Sequence, residues 1–140
     1  MKKFVFNLEK ILQLREWNEK EARNRLVEAA GVLSDIENKI LKNMEEREFA
    51  SAENFGQTSV ESFTAYNYYL LRLQKEKESL IKEKEAAEIK VEEERENWRN
   101  RNSEKSALES LKKRRFEEYK KNVIKEEEKE LNDIRPAAKL

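Results

Sequence analysis

Histidine and cysteine are absent from the 140 residues, proline occurs once and glycine twice. Each absence removes a class of chemistry. Without His there is no imidazole base, no Ser-His triad and no His ligand for a metal. Without Cys there is no disulfide, thiolate zinc site or thiol nucleophile, and such usage fits a reducing, cytoplasmic compartment. Two isolated Gly cannot build a phosphate-cradling loop or a dinucleotide fingerprint. No apolar run reaches the roughly 20 residues that cross a bilayer, and the opening Met1 to Glu9 lacks the apolar stretch of a signal peptide, so no direct membrane insertion is expected. Thirty basic and thirty acidic residues cancel, so no molecule-wide field draws the chain to nucleic acid or anionic lipid.

What is present is charge: 43% of residues are Asp, Glu, Lys or Arg and only 37% are hydrophobic, too few to fill a globular core. Such a balance fits either disorder or a long-helix coiled coil. The surplus of Glu, Lys, Arg, Leu and Ala, all good helix formers, decides for the coil. Carboxylates at i, i+4 read as a solvated helix face laced with ion pairs, because two packed helices offer no water-excluding pocket in which to shift a pKa. No catalytic residue, metal or cofactor is expected, and the chain reads as a non-enzyme.

The run from Thr58 to Ile134 has no Gly, Pro or Cys and predicts one helix of about 75 residues, near 110 Å at 1.5 Å per residue. Everything before it must serve as its partner. Phe4, Phe6 and Leu8 alternate at spacing two, so the chain starts extended, with Asn7 as a candidate N-cap. A heptad phase then holds through Leu12, Arg15, Glu19, Ala22, Leu26, Ala29, Leu33, Ile36, Ile40, Asn43 and Arg47. Gly31 lies on the side away from this seam. Between Ser51 and Ser59 the pattern lapses; Asn54 and Gly56 suit a helix exit, and Thr58 with Glu61 forms a capping box. The second helix carries its own seam: Leu70, Leu73, Lys77, Leu80, Lys84, Ala87, Val91, Glu94, Trp98, Arg101, Lys105 and Leu108. The expected fold is all-α, a long two-helix antiparallel coiled coil, or αα-hairpin, with an overhanging C-terminal helix end. Its single coiled-coil domain covers 1–140: helix one about 5–50, loop about 51–59, helix two about 60–134, tail 135–140.

Folding the seams together about the loop pairs Ile40 with Leu73, Leu33 with Leu80, Leu26 with Ala87 and Ala22 with Val91. Arg15 then meets Trp98 as a cation–π contact, and Glu19 meets Glu94 as a like-charge layer that loosens the coil. Tyr66 and Tyr69 face Arg47 and Met44, whereas Phe63, Tyr68 and Leu71 point elsewhere and form a candidate binding patch. Val5 reaches Leu108, so beyond that point the second helix is expected to run without a partner until Arg135-Pro136 stops it. This overhang carries Leu111, Phe116, Tyr119, Val123, Ile124, Leu131 and Ile134, flanked by the basic run Lys112-Lys113-Arg114-Arg115 and the acidic run Glu126-Glu127-Glu128. An uncovered amphipathic helix is a binding surface or an oligomer contact. Acid beside the basic run, and no interleaved stacking aromatics, argue against nucleic acid as the partner.

The opening Phe4-Val-Phe-Asn-Leu-Glu-Lys-Ile-Leu-Gln-Leu-Arg15-Glu, the hairpin near residue 55, Trp98, and the stretch Glu104-Lys-Ser-Ala-Leu-Glu-Ser-Leu-Lys-Lys-Arg-Arg-Phe-Glu-Glu-Tyr119 together resemble the flagellar type III export protein family FliJ, over nearly the whole chain. The resemblance implies a cytoplasmic component of the flagellar export apparatus, peripherally associated with it at the inner membrane and serving motility. Its implied partners are the export ATPase hexamer, the cytoplasmic domain of the export gate and the flagellar export chaperones. The implied role is a central shaft and adaptor of the ATPase ring. Carried onto this chain, the ring-binding residues are Phe4, Leu8, Arg15, Leu111, Arg114, Arg115, Phe116, Tyr119 and Val123, and the gate-binding residues are Tyr68, Tyr69, Leu71 and Leu73. Two other readings stand beside it: a self-associating structural coiled coil, and a stalk subunit of a rotary ion-pumping ATPase.

Overall fold

The structure, a computed structural model, describes residues 2–53 and 59–138, with side chains as far as residue 134. Two helices make up the described fold, α1 (Glu9–Glu53) and α2 (Val60–Ala138), packed antiparallel as an all-α helical hairpin; the described residues include no strand. Asn54, Gly56 and Thr58, read above as loop and capping residues, lie outside the described residues.

Local chemistry sets the helix ends. At the start of α1 the Leu12 N–H donates to the Leu8 carbonyl at 2.8 Å, which makes Leu8, not Asn7, the capping position. The Glu9 N–H closes a turn onto the Phe6 carbonyl at 3.1 Å. An apolar Leu therefore holds the cap, and the orphan donors there rely on the backbone turn. At the start of α2 the cap is Ser59: its carbonyl accepts from the Phe63 N–H at 3.0 Å and its hydroxyl from the Ser62 N–H at 3.4 Å. Glu61 adds an acid to the first turn, where the helix dipole favours one. Pro136 does not stop α2. It lacks the N–H that would bond the Asn132 carbonyl, yet the helix continues through it to Ala138.

Every seam position named above is buried or half-buried, from Leu12 to Arg47 on α1 and from Leu70 to Leu108 on α2. The contacts divide the chain into two units. In the first, Ala22–Trp98, the core is a single file of Ala22, Ala29, Ile36, Leu73, Leu80, Ala87 and Val91. Three of these seven are Ala, which buries little area and lets the backbones approach. Most of the burial energy therefore rests on Leu73, Leu80, Ile36 and Val91, at about 1.5–3 kcal/mol for each large aliphatic side chain. One buried side chain of this seam is polar: Asn43 donates its side-chain amide to the Leu73 carbonyl at 3.1 Å. A buried Asn in a coiled-coil seam discriminates registers, because sliding past it strands its amide.

That bond also corrects the pairing expected from the sequence. Asn43 lies level with Leu73, where Ile40 was expected, and Ala29 shares a groove with Ala87, where Leu26 was expected. Arg47 donates to the Gln74 side chain at 3.0 Å, and Tyr66 and Tyr69 line a groove with Phe49 and Ala50 rather than facing Arg47 and Met44. The helices are offset by about one turn relative to that pairing. A heptad seam permits this, since a slide by one turn exchanges a for d positions and keeps the apolar stripes in contact.

In the second unit, Met1–Glu21 with Arg99–Leu140, polar seam positions are matched by charge. Arg15, where a cation–π contact was expected, pairs with Glu104 at 2.7 Å, and Arg101 approaches the same carboxylate oxygen at 3.4 Å. Glu19 is almost fully buried, with Lys105 Nζ at 3.6 Å from its carboxylate. In the other unit Glu94 has Lys90 at 3.0 Å. Each carboxylate of the expected like-charge layer thus has its own lysine.

Candidate functional site

The first candidate surface lies where the start of the chain packs on α2, in the unit of Met1–Glu21 and Arg99–Leu140. Residues 2–6 are not helical and run along α2. Phe4 sits edge-on against the Phe116 ring, centroids 5.1 Å apart, and tilted against Tyr119 at 5.6 Å; Phe116 and Tyr119 stack at 6.3 Å. The Tyr119 hydroxyl donates to the Lys2 carbonyl. Phe6, the one fully buried residue of the segment, lies under the Arg115 guanidinium at 5.7 Å. Lys120 Nζ stands over the Phe116 ring, 4.6 Å from its centre, where cation and aromatic face attract. Lys112 pairs with Glu9 at 2.8 Å.

The overhang therefore starts later than expected. From Leu108 to Val123 the helix is partly covered by α1 and by the extended segment, because that segment reaches about twice as far per residue as a helix would. From Ile124 to Ile134 every described side chain is exposed, Ile124, Leu131 and Ile134 included.

The residues expected to bind a ring distribute as follows. Phe4, Phe116, Tyr119 and Arg115 are brought together in the aromatic cluster, and Val123 borders the groove that Lys2, Lys3 and Tyr119 also line. Leu8 is spent on the helix cap, Arg15 on its ion pair, and Leu111 is half-buried. Arg114 is exposed and makes no ion pair with a described residue.

A second candidate surface lies beside the hairpin, in the unit Ala22–Trp98. Tyr68 is 71% exposed and Leu71 51%, with Phe63, Val60 and Phe49 exposed around them. Tyr69 is half-buried and holds the Arg72 guanidinium 5.2 Å above its ring. Leu73, expected on this surface, is not on it. It is 1% exposed, the most completely buried large side chain described, and its carbonyl takes the Asn43 bond. Placement at a seam position removes it from any docking face.

Sequence reasoning passed over one surface. Ile11, Leu14 and Trp17 recur every three residues on the outward side of α1, and Trp17 is 60% exposed. A run of i, i+3, i+6 apolar residues beside the seam was the available signal; the stronger heptad masked it.

No described helix is long and apolar enough to cross a membrane, and the described residues include no acidic cluster arranged to hold a metal ion. No curated protein and no solved structure matches the chain. A family model described as flagellar FliJ protein matches residues 4–135, which takes in the aromatic cluster, both seams and the exposed end of α2. With nearly the whole chain inside that match, and with the helical hairpin its pattern requires, this chain belongs to the flagellar FliJ family of export-related coiled-coil proteins.

Proposed function

We propose that this chain is a non-enzymatic shaft and adaptor of the flagellar export ATPase ring. It links the ring to the cytoplasmic domain of the export gate and to export chaperones, peripherally at the inner membrane. The observation that supports this reading best is the end of α2. There Phe116, Tyr119 and Val123, flanked by Arg114 and Arg115, pass into a helix end exposed on all sides from Ile124 to Ile134. Helices keep an exposed apolar stripe where another surface covers it. Ring contacts fall to Leu8, Arg15, Leu111, Arg114, Arg115, Phe116, Tyr119 and Val123, with Phe4 laid against Phe116 and Tyr119; Arg114 is exposed and makes no ion pair with a described residue. The gate falls to Tyr68 and Leu71 with the free edge of Tyr69, the residues that leave the seam beside the hairpin.

Such a protein does no chemistry of its own; it changes the ATPase by binding one arrangement of the ring better than another. The test is the purified chain with its cognate export ATPase, followed by co-elution and by ATP hydrolysis. Stimulated hydrolysis and co-elution are expected, both reduced by Arg114→Glu. A Tyr68→Ala/Leu71→Ala double variant should keep both and lose the gate domain. No co-elution and no stimulation by the intact chain would sink the reading.

A further inference from the structure

The extended segment before α1 has a construction unlike the rest of the fold. Among the described residues, no backbone-to-backbone hydrogen bond holds it to α2. Its ties there are the two ring contacts of Phe4, the Tyr119 hydroxyl on the Lys2 carbonyl, and Phe6 under Arg115. Phe6 is buried and lies next to the capping turn, whereas Lys2, Lys3 and Val5 are exposed and Phe4 is half-buried. The attachment is therefore firm at Phe6 and light from Val5 outward, which is how a strap hinged at one end is built.

We propose that residues 2–5 are a displaceable strap that covers the Phe116–Tyr119–Val123 stripe of α2 in the free chain, and that a partner binding this stripe first lifts it. Lifting breaks two aromatic contacts and one hydrogen bond and leaves Phe6 in place as the hinge. It uncovers the faces of Phe116 and Tyr119 in line with the already exposed Ile134. Lys120 and Arg115 flank the opened stripe beside Glu118 and Glu126, so the occupant it fits is a protein surface carrying apolar side chains ringed by charges of both signs. The identity of that occupant as the export ATPase rests on the proposed function; the strap itself does not.

Two measurements keep these apart. Trypsin cleavage after Lys3, followed by mass, reads strap opening without any partner. Tyr119→Phe removes only the hydroxyl and should raise the cleavage rate about fivefold, the factor of one net hydrogen bond. Phe4→Ala should raise it more than tenfold and increase binding of an apolar fluorescent dye. With the purified export ATPase, both variants should bind with a faster association rate than the parent chain. Cleavage unchanged in both variants, or a parent chain cleaved as fast as a free peptide of residues 1–10, would overturn the strap. Faster cleavage with weaker ATPase binding in Phe4→Ala, but not in Tyr119→Phe, would make Phe4 a contact and overturn its role as a cover. Faster cleavage and more dye with no ATPase binding by any variant would leave the strap standing and reject the ATPase as its occupant.

Discussion

Truncating Leu73 to Ala separates a core role from a docking role at one position. The side chain is 1% exposed in a seam only one residue deep, flanked by a buried Asn43 that bonds the Leu73 carbonyl. Removing three carbons forfeits the transfer energy of the side chain and leaves a gap that two helices close only in part, so the loss is about 3 kcal/mol. A two-helix seam sits at the lower end of the Leu→Ala range, because water enters its open flanks and the helices can draw together. The backbone bond from Asn43 should survive, since Ala keeps the carbonyl. Chemical denaturation followed by circular dichroism measures the loss, and the melting temperature should fall by roughly 10 °C if the chain unfolds as one unit. Tyr68→Ala, by contrast, should stay within about 0.5 kcal/mol of the parent chain, as its ring is 71% exposed. A Leu73→Ala variant within about 1 kcal/mol of the parent would refute the reasoning about the core. So would one that lost gate binding while keeping its stability.

Gly31→Ala should stabilise the chain by about 1 kcal/mol in a denaturant titration, because a Cβ there meets nothing within 4 Å and the helix loses its most flexible interior residue. Ser59→Ala should cost about 0.5–1 kcal/mol, seen as faster amide exchange in the first turn of α2; the 3.4 Å bond to Ser62 places it at the weak end for a cap. Asn43→Leu should leave thermal stability equal or higher yet allow a second pairing of the helices, detected as doubled signals in spin-label distance measurements between the helices.

The two seams were legible in the sequence because a side chain's distance from the helix partner follows from its heptad position alone. All seam positions from Leu12 to Arg47 and from Leu70 to Leu108 came out buried or half-buried, the charged ones included. The pairing between seams was not legible. Ile40 and Asn43 are both seam residues one turn apart, and apolar periodicity treats their apposition to Leu73 as equivalent. Only the Asn43 amide, which needs a particular carbonyl, distinguishes them. Of the candidate sites, Tyr68 and Leu71 were readable as residues off the seam, and Phe116 and Tyr119 as a stripe. Leu73 was misplaced on the docking face although its seam position already implied burial.

Composition and period alone determined that the chain would be helical, that it would fold back on itself, and which side of each helix would be buried, since these depend on propensity and on neighbours within a turn or two. Only the tertiary structure decided the offset of the helices, the lysine partners of Glu19 and Glu94, and how much of α2 remains uncovered. The last depends on residues 2–6, whose extended course lets five residues cover a stretch of α2 that a helix of the same length would not reach. Contacts between residues more than a hundred positions apart, such as Phe4 with Phe116, leave no periodic trace in a sequence.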